Sequence, residues 1–542
     1  MSPFVRGPSV RQMDRTAARS VLFITLAVFS LTFRGAPGTD AARVELETTS
    51  AIARQGTLAL PESALLANLA EGSQGSAVVS RRLSDARLVG TSGLGGPLAM
   101  APLVLAGTGL EMVRSQAASE QGAVVRAAAG WRNSLLSAIT AQLLVLAALR
   151  LGAGRFDAWL GGLAYAFTTF AWPQARAWEG DVQVTMLLFA SLLFILRIRE
   201  SFDRLEDPLR LDLLAVGSTL GLALFTSVTS LPAVIVLGAA VEVVLWRGMR
   251  RLNATRWQPK DHERARPGVV AGLVLVPLLL GVVATLVHDS LVWGKAMSFP
   301  ALRPTGSDLE ASLGGLLFSP GRGLFVLAPG LLLVPVGWRA LARGGELLYR
   351  RTVLGLLFAL LLVPVFLEPW HGGLTYGPRL LLPLLPFAWV LAVRAAPWIR
   401  EVPWRRRLAV LLLALGLFHQ LPAVAVDTST HHELAFASHQ DGAESLESIQ
   451  WDLPYAAPWA HWRILRHRIA SDDEQFPVRE IFFEDREEVL TPTEGSPAFT
   501  HMASLDLLRQ EPVLGWLLVF GSLASMLWGG WLGFRALNRT AT

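Results

Sequence analysis

The feature that most constrains this chain is a series of about twelve apolar runs of roughly 17–25 residues, a length that crosses a bilayer as a helix. Of its 542 residues, 52% are hydrophobic and 17% are charged, whereas a globular protein carries about 25% charged residues. The sequence therefore predicts an all-α polytopic membrane protein with a bundle of about 12 transmembrane helices. The runs lie near residues 16–33, 127–149, 155–174, 182–196, 211–228, 231–246, 267–289, 323–338, 352–368, 380–396, 408–426 and 513–534.

The arginines predict the orientation of this bundle, because short loops rich in Lys and Arg stay in the cytoplasm. Of the 48 basic residues, 28 fall in loops that define one face, which predicts a multi-pass inner (plasma) membrane protein with both termini cytoplasmic. The net charge of +5 thus encodes topology and indicates no nucleic-acid partner. The short loops of the opposite face hold only Arg176, Lys295, Arg303, Arg322 and Arg379.

Two long segments are predicted to face the outside. The first, residues 34–126, contains an apolar stretch at 95–107 that is too short to span and is expected to lie in the interface. The second, 427–512, carries 17 acidic against 6 basic residues and is expected to form a small folded cap. The predicted units are a transmembrane domain at 1–426 with the first outer loop, the acidic extracytoplasmic segment at 427–512, and a last helix with a cytoplasmic tail at 513–542.

The start of the chain allows two interpretations. A charged segment followed by VLFITLAVFSLTF could mimic a cleavable signal peptide. The many spans that follow favour a retained anchor instead.

Several classes of site are excluded or unsupported. The chain has no cysteine, which excludes disulfides, zinc–thiolate sites, iron–sulfur centres and a cysteine nucleophile. It has no glycine-rich dinucleotide or P-loop motif. His431, His432 and His439 have spacings that a metal could use, but no accompanying acidic pattern singles them out. A divalent metal is therefore unsupported, and no other cofactor is indicated.

Asp40 lies a few residues after the first run, at the start of a segment, 41–53, that can form an interfacial helix. One interpretation is structural, because Asp is a favoured helix N-cap. The other is functional: a carboxylate held at the boundary between water and lipid can act as a general base.

A very short outer loop, WPQARAWEGDVQ, places Arg176, Glu179 and Asp181 between two spans. Asp181 at the start of a helix is also favoured by the helix dipole, so a purely structural role stays open. The functional alternative is that Asp181 faces Asp40 across an outward-opening cavity, with Arg176 available to a phosphate.

Two further outer segments carry cationic and aromatic side chains. FSPGRGLF at 318–325 interrupts the helix before a span and places Arg322 next to backbone that suits an anionic ligand. WHGGLTYGPR crowds Trp370, His371, Tyr376 and Arg379 into ten residues. Trp and Tyr also belong to interfacial aromatic belts, but outer short loops otherwise avoid arginine.

These pieces together resemble the polytopic GT-C glycosyltransferases that use polyprenyl-phosphate sugars, a group that includes protein mannosyltransferases and lipid A aminoarabinose transferases. The resemblance is carried by Asp40 and by segments spread over most of the chain. They are SDARLVGTSGLGGPLAMAP at 84–102, FTTFAWPQARAWEGD at 167–181, GLLFSPGRGLFVLAP at 315–329, WHGGLTYGPRLLLPLLPF at 370–387 and APWAHWRIL at 457–465.

The resemblance implies roles for individual residues. The acidic residue of the first outer loop, here Asp40, would be the catalytic base or orient the acceptor, and that of the second loop corresponds to Asp181. Arg176, Arg322 and Arg379 would bind the lipid phosphate. Further candidates for the substrate cavity are Trp370, His371, Tyr376 and Glu45.

Two positions depart from the family pattern. Members often have a second acidic residue directly after the first, whereas Ala41 follows Asp40 here and leaves Glu45 or Glu47 as substitutes. The loop TSVTSL at 226–231 lacks the basic residue that relatives frequently carry.

The resemblance implies a membrane glycosyltransferase that moves a sugar, with inversion, from a polyprenyl-phosphate carrier to a glycan, lipid or protein acceptor on the extracytoplasmic face. The first alternative is a lipid-linked-sugar transporter or flippase, which should place ionisable groups near the bilayer midplane, often with inverted repeats. This chain clusters such groups at the outer helix ends and shows no evident repeat. The second alternative is a non-catalytic lipid-binding scaffold, which the missing second acidic residue keeps open.

Overall fold

The computed structural model describes fifteen stretches of the chain, and helices dominate them. The stretches are residues 8–35, 37, 39–61, 79–81, 87–113, 122–255, 267–294, 309–344, 346–366, 372–373, 375–438, 446–470, 475–482, 489–490 and 503–538.

The first half of the chain contains long helices and one small hairpin. The helices are α1 (Pro8–Thr32), α2 (Asp40–Gln55), α3 (Gly95–Val113), α4 (Ala123–Arg150), α5 (Arg155–Thr168), α6 (Ala171–Arg176), α7 (Asp181–Asp203), α8 (Arg210–Thr226), α9 (Leu231–Thr255) and α10 (Pro267–Trp293). The antiparallel hairpin between α2 and α3 joins β1 (Val79–Arg81) to β2 (Leu88–Gly90).

The second half is more broken. Its helices are α11 (Leu309–Phe318), α12 (Leu324–Leu327), α13 (Val334–Arg343), α14 (Leu347–Phe366), α15 (Leu385–Arg394), α16 (Ala396–Glu401), α17 (Pro403–Ala425), α18 (Thr428–Ser438), α19 (Leu446–Trp451), α20 (Ala457–Ala470), α21 (Val478–Phe482), α22 (Ala503–Gln510) and α23 (Pro512–Asn538). Strands β3 (Phe476–Pro477) and β4 (Val489–Leu490) pair antiparallel, and 3-10 turns cover Val228–Ser230, Pro329–Leu333, Arg379–Leu384 and Leu453–Tyr455.

Eight helical segments within the described residues are long and apolar enough to cross a membrane, which confirms the prediction of a helical, multi-pass membrane protein. They are Gln12–Thr32, Ala123–Arg150, Asp181–Asp203, Val228–Ala254, Pro267–Trp293, Arg379–Glu401, Pro403–Ala425 and Pro512–Asn538. The orientation of the termini stays a prediction.

The other four predicted runs are also helical but are not among these eight segments. The run at 155–174 becomes α5, of 14 residues, followed by a break at Thr169. The run at 323–338 is divided into α12, a 3-10 turn and α13, because Pro329 and Pro335 lack the N–H that a continuous helix needs and instead begin new helical segments. The runs at 211–228 and 352–368 correspond to α8, of 17 residues, and α14, of 20 residues.

Burial distinguishes central helices from peripheral ones. In α7, 78% of the apolar segment is buried inside the protein, whereas only 17% of the apolar segment is buried in α10 and in α23. The exposed faces of these two outer helices are strongly apolar, with Leu279, Leu280 and Val283 on α10 and Phe520, Leu527 and Phe534 on α23. Such faces are expected where a helix borders lipid.

The described residues from Val426 to Phe482 share an apolar core of their own, and we call this unit the cap. Its buried side chains come from α18, α19, α20, α21 and the segments between them, including Leu434, Tyr455, Ile464 and Phe482. The rings of Tyr455 and Phe482 stack with centroids 4.5 Å apart. This cap contacts the bundle mainly where α20 packs on α17.

Candidate functional site

The candidate site lies where the loop between α6 and α7 meets the 3-10 turn that precedes α15. Arg379, the first residue of that turn, donates through Nη1 to Oε2 of Glu179 at 2.5 Å. The Nε atom of Arg379 lies 3.7 Å from Oδ2 of Asp181, the first residue of α7. One guanidinium group thus faces two carboxylates, so it offsets only part of the negative charge of the loop.

The backbone before Arg379 is fixed by a glycine turn and two hydrogen bonds. Gly377 has φ +77°, a left-handed conformation that residues with a Cβ rarely adopt. The hydroxyl of Tyr376 donates to the carbonyl of His419 at 3.0 Å, and the carbonyl of Tyr376 accepts from Nε2 of Gln174 at 2.6 Å. The turn is therefore anchored to both α6 and α17, which sets the position of Arg379.

The second carboxylate oxygen of Glu179 connects the site to α2. Oε1 of Glu179 accepts from the hydroxyl of Thr39 at 2.9 Å, and the same hydroxyl accepts from the amide of Ala42 at 3.2 Å. Thr39 is therefore the N-cap of α2, and the N-cap interpretation of Asp40 is wrong. Asp40 is instead the first helical residue, half exposed, with Oδ1 4.0 Å from Nη1 of Arg43.

A buried arginine on α4 holds the same loop from the side of the bundle. Nη1 of Arg132 lies 2.6 Å from Oε1 of Glu45 on α2, and both side chains are almost completely buried. Arg132 also donates to the carbonyls of Gly96 at 2.9 Å and Trp178 at 2.5 Å. Burial raises the pKa of Glu45, and the charge of Arg132 opposes that rise. Glu45, expected in the substrate cavity, thus occupies an ion pair that ties α2, α3 and α4 to the loop.

A cavity of about 60 Å³ lies beside Glu179, and its lining includes Thr39, Arg176, Thr375 and Tyr376. Arg176, at the end of α6, is 4% exposed, and its Nη1 donates to the carbonyls of Ala423, at 3.4 Å, and Val424. Within the described part of the chain, Nε and Nη2 of Arg176 and the hydroxyl of Thr375 are buried without a hydrogen-bond partner.

The charge of Arg176 is retained in spite of burial. Desolvation, with a smaller contribution from Arg34, lowers the pKa of Arg176 to about 9, so the side chain is still a cation at neutral pH. A buried cation with unused N–H donors, next to a free hydroxyl, is suited to bind an anion. The cavity can therefore accept an anionic group such as a phosphate oxygen.

The neighbouring Arg34 is already neutralised. It forms an ion pair with Asp427, whose side chain is fully buried. The Oδ1 atom of Asp427 also accepts from the amide and the hydroxyl of Ser429 at 2.9 and 2.7 Å. Burial lowers the pKa of Arg34, and Asp427 opposes this effect. Of the two arginines that line the cavity, Arg176 is thus the one without a carboxylate partner among the described residues.

Arg322 lies in the turn between α11 and α12 and faces the cap. It is 2% exposed, and its Nη2 is 3.3 Å from Nε2 of His432. The imidazole of His431 lies between those of His432 and His461, with ring centroids 5.1 and 4.9 Å apart. Burial lowers the pKa of Arg322 to about 9 and that of His431 to about 4, and it lowers the pKa of the other two histidines as well.

The structure brings five predicted residues into one region. Asp181 and Arg379 are in contact, and Arg176 and Tyr376 line the cavity. The positive charge of nearby Arg379 adds to the effect of burial in lowering the pKa of Arg322, and the negative charge of Glu179 partly opposes it. Their roles in catalysis and phosphate binding stay predictions.

Other predicted residues lie elsewhere. Asp40 follows Thr39, which lines the cavity, but the side chain of Asp40 is half exposed and lies beside Arg43. Trp370, His371 and His439 lie outside the described residues. Among the residues that the structure does describe, no cluster of three His, Asp or Glu side chains is arranged to hold a metal ion.

Sequence reasoning gave no role to Thr39, Thr375 or Asp427, and it named Glu179 without assigning it a function. Only Thr39 carried a readable signal, because threonine is a favoured N-cap residue and Thr39 lies two positions before the helix predicted at 41–53. The partners of Glu179 and Asp427 are far away along the chain, at positions 39, 379 and 34. No local pattern indicates such pairings.

Comparison with known proteins gives distant structural similarities. No protein-family profile matches the chain, and no curated protein resembles it in sequence. The apo structure of ArnT from Cupriavidus metallidurans matches with a TM-score of 0.44 and 15% identity, over 96% of this chain and 77% of that one. The structure of the same ArnT bound to undecaprenyl phosphate matches with a TM-score of 0.45 and 14% identity, over 98% and 79%. The functional interpretation therefore rests on the sequence motifs and on the residues of the site.

Proposed function

We propose that this protein is a membrane glycosyltransferase that transfers a sugar from a polyprenyl-phosphate carrier to an acceptor at the extracytoplasmic face. The observation that carries the proposal is the buried guanidinium of Arg176, which lines a cavity shared with Thr39, Glu179 and Thr375. Its Nε and Nη2 atoms have no hydrogen-bond acceptor among the described residues. The motifs that resemble the GT-C glycosyltransferases supply the reaction class.

The proposed chemistry is an inverting displacement. Asp40 takes the proton of an acceptor hydroxyl, whose oxygen forms a bond to the anomeric carbon of the sugar. The bond between that carbon and the phosphate oxygen breaks, and its electron pair leaves with the polyprenyl phosphate. Arg176, Arg322 and Arg379 stabilise the negative charge that develops on the phosphate, and one such donor is worth about 2.7–4 kcal/mol in a pre-organised site.

The phosphate part of this proposal is tested by binding of undecaprenyl phosphate to the purified full-length chain in detergent micelles. Arg176→Gln removes the charged donor, and we expect its affinity to fall by about 10-fold or more, since hydrogen bonds to charged groups are worth about 1.5–3 kcal/mol. Thr375→Val removes a single neutral hydroxyl without opening a cavity, and we expect a fall of about 5-fold.

Arg251→Gln is the matched control. Arg251 is exposed and pairs with Asp203 at 3.1 Å on another part of the chain, so its loss should leave the affinity unchanged. Equal affinities in wild type, Arg176→Gln and Thr375→Val would show that the cavity does not bind the phosphate. The thermal unfolding midpoint of each variant shows whether it is folded when binding is measured.

A non-catalytic lipid-binding scaffold is the second candidate, and the exposure of Asp40 favours it. A general base is commonly activated by desolvation, whereas Asp40 is half exposed beside Arg43. The two candidates differ in the behaviour of Asp40→Asn in cells. Loss of a cell-envelope glycan in that variant, with undecaprenyl phosphate binding retained, supports the transferase, and an unchanged glycan profile in both Asp40→Asn and a strain lacking the protein supports the scaffold.

A further inference from the structure

Three segments that are far apart in sequence share one carboxylate. Glu179 accepts from the hydroxyl of Thr39 at 2.9 Å through Oε1 and from Arg379 at 2.5 Å through Oε2. Glu179 is 7% exposed, and its carbonyl accepts from Nδ2 of Asn133 at 2.9 Å, which fixes its backbone. We call Thr39, Glu179 and Arg379 the bridge, because its side chains join α2 to the turn before α15.

The two ends of the bridge belong to different parts of the proposed reaction. The hydroxyl of Thr39 donates to Glu179 and accepts from the amide of Ala42, so it organises the first turn of α2, where Asp40 lies. Arg379 is a proposed phosphate ligand, and its nearest carboxylate is that of Glu179. A phosphate at Arg379 competes with Glu179 for the same guanidinium donors.

We propose that Glu179 is a positioning residue that couples occupation of the phosphate site to the first turn of α2, an inference that rests on the proposed function. When Arg379 turns toward a phosphate, Glu179 loses its cationic partner and its contact with Thr39 weakens. The first turn of α2, with Asp40, then becomes free to adjust to the acceptor. Binding of the donor lipid in this way prepares the acceptor side of the site.

Thermodynamic linkage gives the sign of the effect. If the phosphate favours the state in which the bridge is open, then a change that opens the bridge and leaves the arginine donors in place must tighten phosphate binding. Thr39 lines the cavity, but its hydroxyl proton is donated to Glu179. Thr39→Val keeps the shape of the side chain and removes its hydroxyl, so we expect the Kd for undecaprenyl phosphate to fall by about 5-fold. Damage to a contact that is only structural would weaken binding instead.

The experiment compares undecaprenyl phosphate binding by full-length wild type, Thr39→Val, Thr39→Ser, Glu179→Gln and the double variant Thr39→Val/Glu179→Gln. We expect tighter binding by Thr39→Val and Glu179→Gln, wild-type binding by Thr39→Ser, and no further gain in the double variant over Glu179→Gln. The matched control is Thr49→Val, because the hydroxyl of Thr49 donates to the carbonyl of Glu45 within α2 and does not touch the bridge.

Hydrogen exchange of the amides at residues 41–45 provides an independent measurement. We expect undecaprenyl phosphate to speed their exchange by about 5-fold in wild type and to have no effect in Glu179→Gln, in which the bridge is already open. The hydrogen-exchange measurement also tests the coupling if Thr39→Val does not fold.

The outcomes separate the two proposals. If wild type binds the lipid but Thr39→Val binds it equally or more weakly and exchange at 41–45 does not respond, the coupling is overturned and the proposed function stands. If wild type does not bind undecaprenyl phosphate at all, the proposed function fails and the coupling fails with it.

Discussion

At the scale of single residues, the buried arginines of this chain differ in how their charge is balanced. Arg34, Arg132 and Arg379 each lie against a carboxylate within the described residues. Arg176 is hydrogen-bonded to main-chain carbonyls through Nη1, and its Nε and Nη2 atoms have no acceptor in that part of the structure. A buried cation without a counter-charge lowers stability, which is consistent with the anion-binding role proposed for Arg176.

Arg132 shows the opposite case, and its removal tests the structural assignment. Arg132→Met leaves the carboxylate of Glu45 buried without its cation and frees the carbonyls of Gly96 and Trp178. We expect the free energy of unfolding to fall by about 3–5 kcal/mol, measured as a large drop in the thermal midpoint in detergent.

Arg204→Met is the control for this loss, because Arg204 makes a partly exposed pair with Glu200, at 3.7 Å, on the same helix turn. Such a pair contributes about 0–1 kcal/mol. Similar midpoints for the two variants would show that the Arg132–Glu45 pair does not stabilise the fold.

At the scale of secondary-structure elements, glycines set how closely α8 and α10 approach. A Cβ on Gly281 would lie 2.4 Å from Cα of Gly221, and a Cβ on Gly217 would lie 2.2 Å from the carbonyl oxygen of Val274. Between helices in lipid the hydrophobic effect gives little attraction, so close backbone contact through small residues supplies much of the packing energy. The largely exposed α10 is therefore held to the bundle by this contact.

Gly281→Val tests the packing of α10 against a control on the same helix. We expect Gly281→Val to lower the free energy of unfolding by about 1–3 kcal/mol, because the added side chain must push the two backbones apart. Gly272→Val adds the same atoms in open space and should leave the thermal midpoint near that of wild type. Equal midpoints for the two valine variants would contradict the close contact.

At the scale of the whole molecule, the cap is joined to the bundle through polar groups around Arg322. His432 contacts the guanidinium of Arg322, and the amide of Gly321 donates to the carbonyl of Gln450 at 3.0 Å. The ring of His461 lies 5.5 Å from that of Tyr376. Nε2 of His431 donates to the carbonyl of Tyr455 at 2.9 Å, and Nδ1 of His432 donates to the carbonyl of Thr428 at 2.7 Å. Burial lowers the pKa of both imidazoles and leaves them neutral beside a cation.

This junction makes stability depend on pH. The charged and titratable groups around His431 are Arg322, Arg463 and the other two histidines, and those around His432 are Arg322 and the other two histidines. Protonation therefore adds positive charge to positive surroundings. Burial lowers the pKa of His431 to about 4, below its ordinary value of about 6.5. The unfolded chain therefore takes up a proton first, and stability falls as the pH drops from about 6.5 toward 4.

At pH 5 the linkage for His431 alone amounts to about 2 kcal/mol. We expect the thermal midpoint to fall between pH 7.5 and pH 5, and to fall less in His461→Phe, which removes one of the three proton acceptors. Both ring nitrogens of His461 are without a partner among the described residues, so phenylalanine costs no hydrogen bond there. If the thermal midpoint of His461→Phe falls between pH 7.5 and pH 5 by as much as that of wild type, the histidine cluster is not the cause of the acid destabilisation.

Much of the local architecture was predictable from the chain alone. The helical membrane bundle is confirmed, and the helix expected at 41–53 is present as Asp40–Gln55. The apolar stretch at 95–107 lies within α3, whose placement in the interface stays a prediction. Capping was misassigned by one residue at Asp40, and the run at 323–338 is divided because prolines interrupt it.

The sequence by itself determined where helices form and that most of them belong in lipid. The reason is that each residue makes its own contribution to the free energy of placing a segment in hydrocarbon. Only the tertiary structure decided which charges meet. Glu179 contacts groups 140 and 200 positions away, whereas Arg176 finds no carboxylate within the described residues. The strength and partner of a buried charge depend on what packing brings within a few ångströms, and no local pattern of residues encodes that distance.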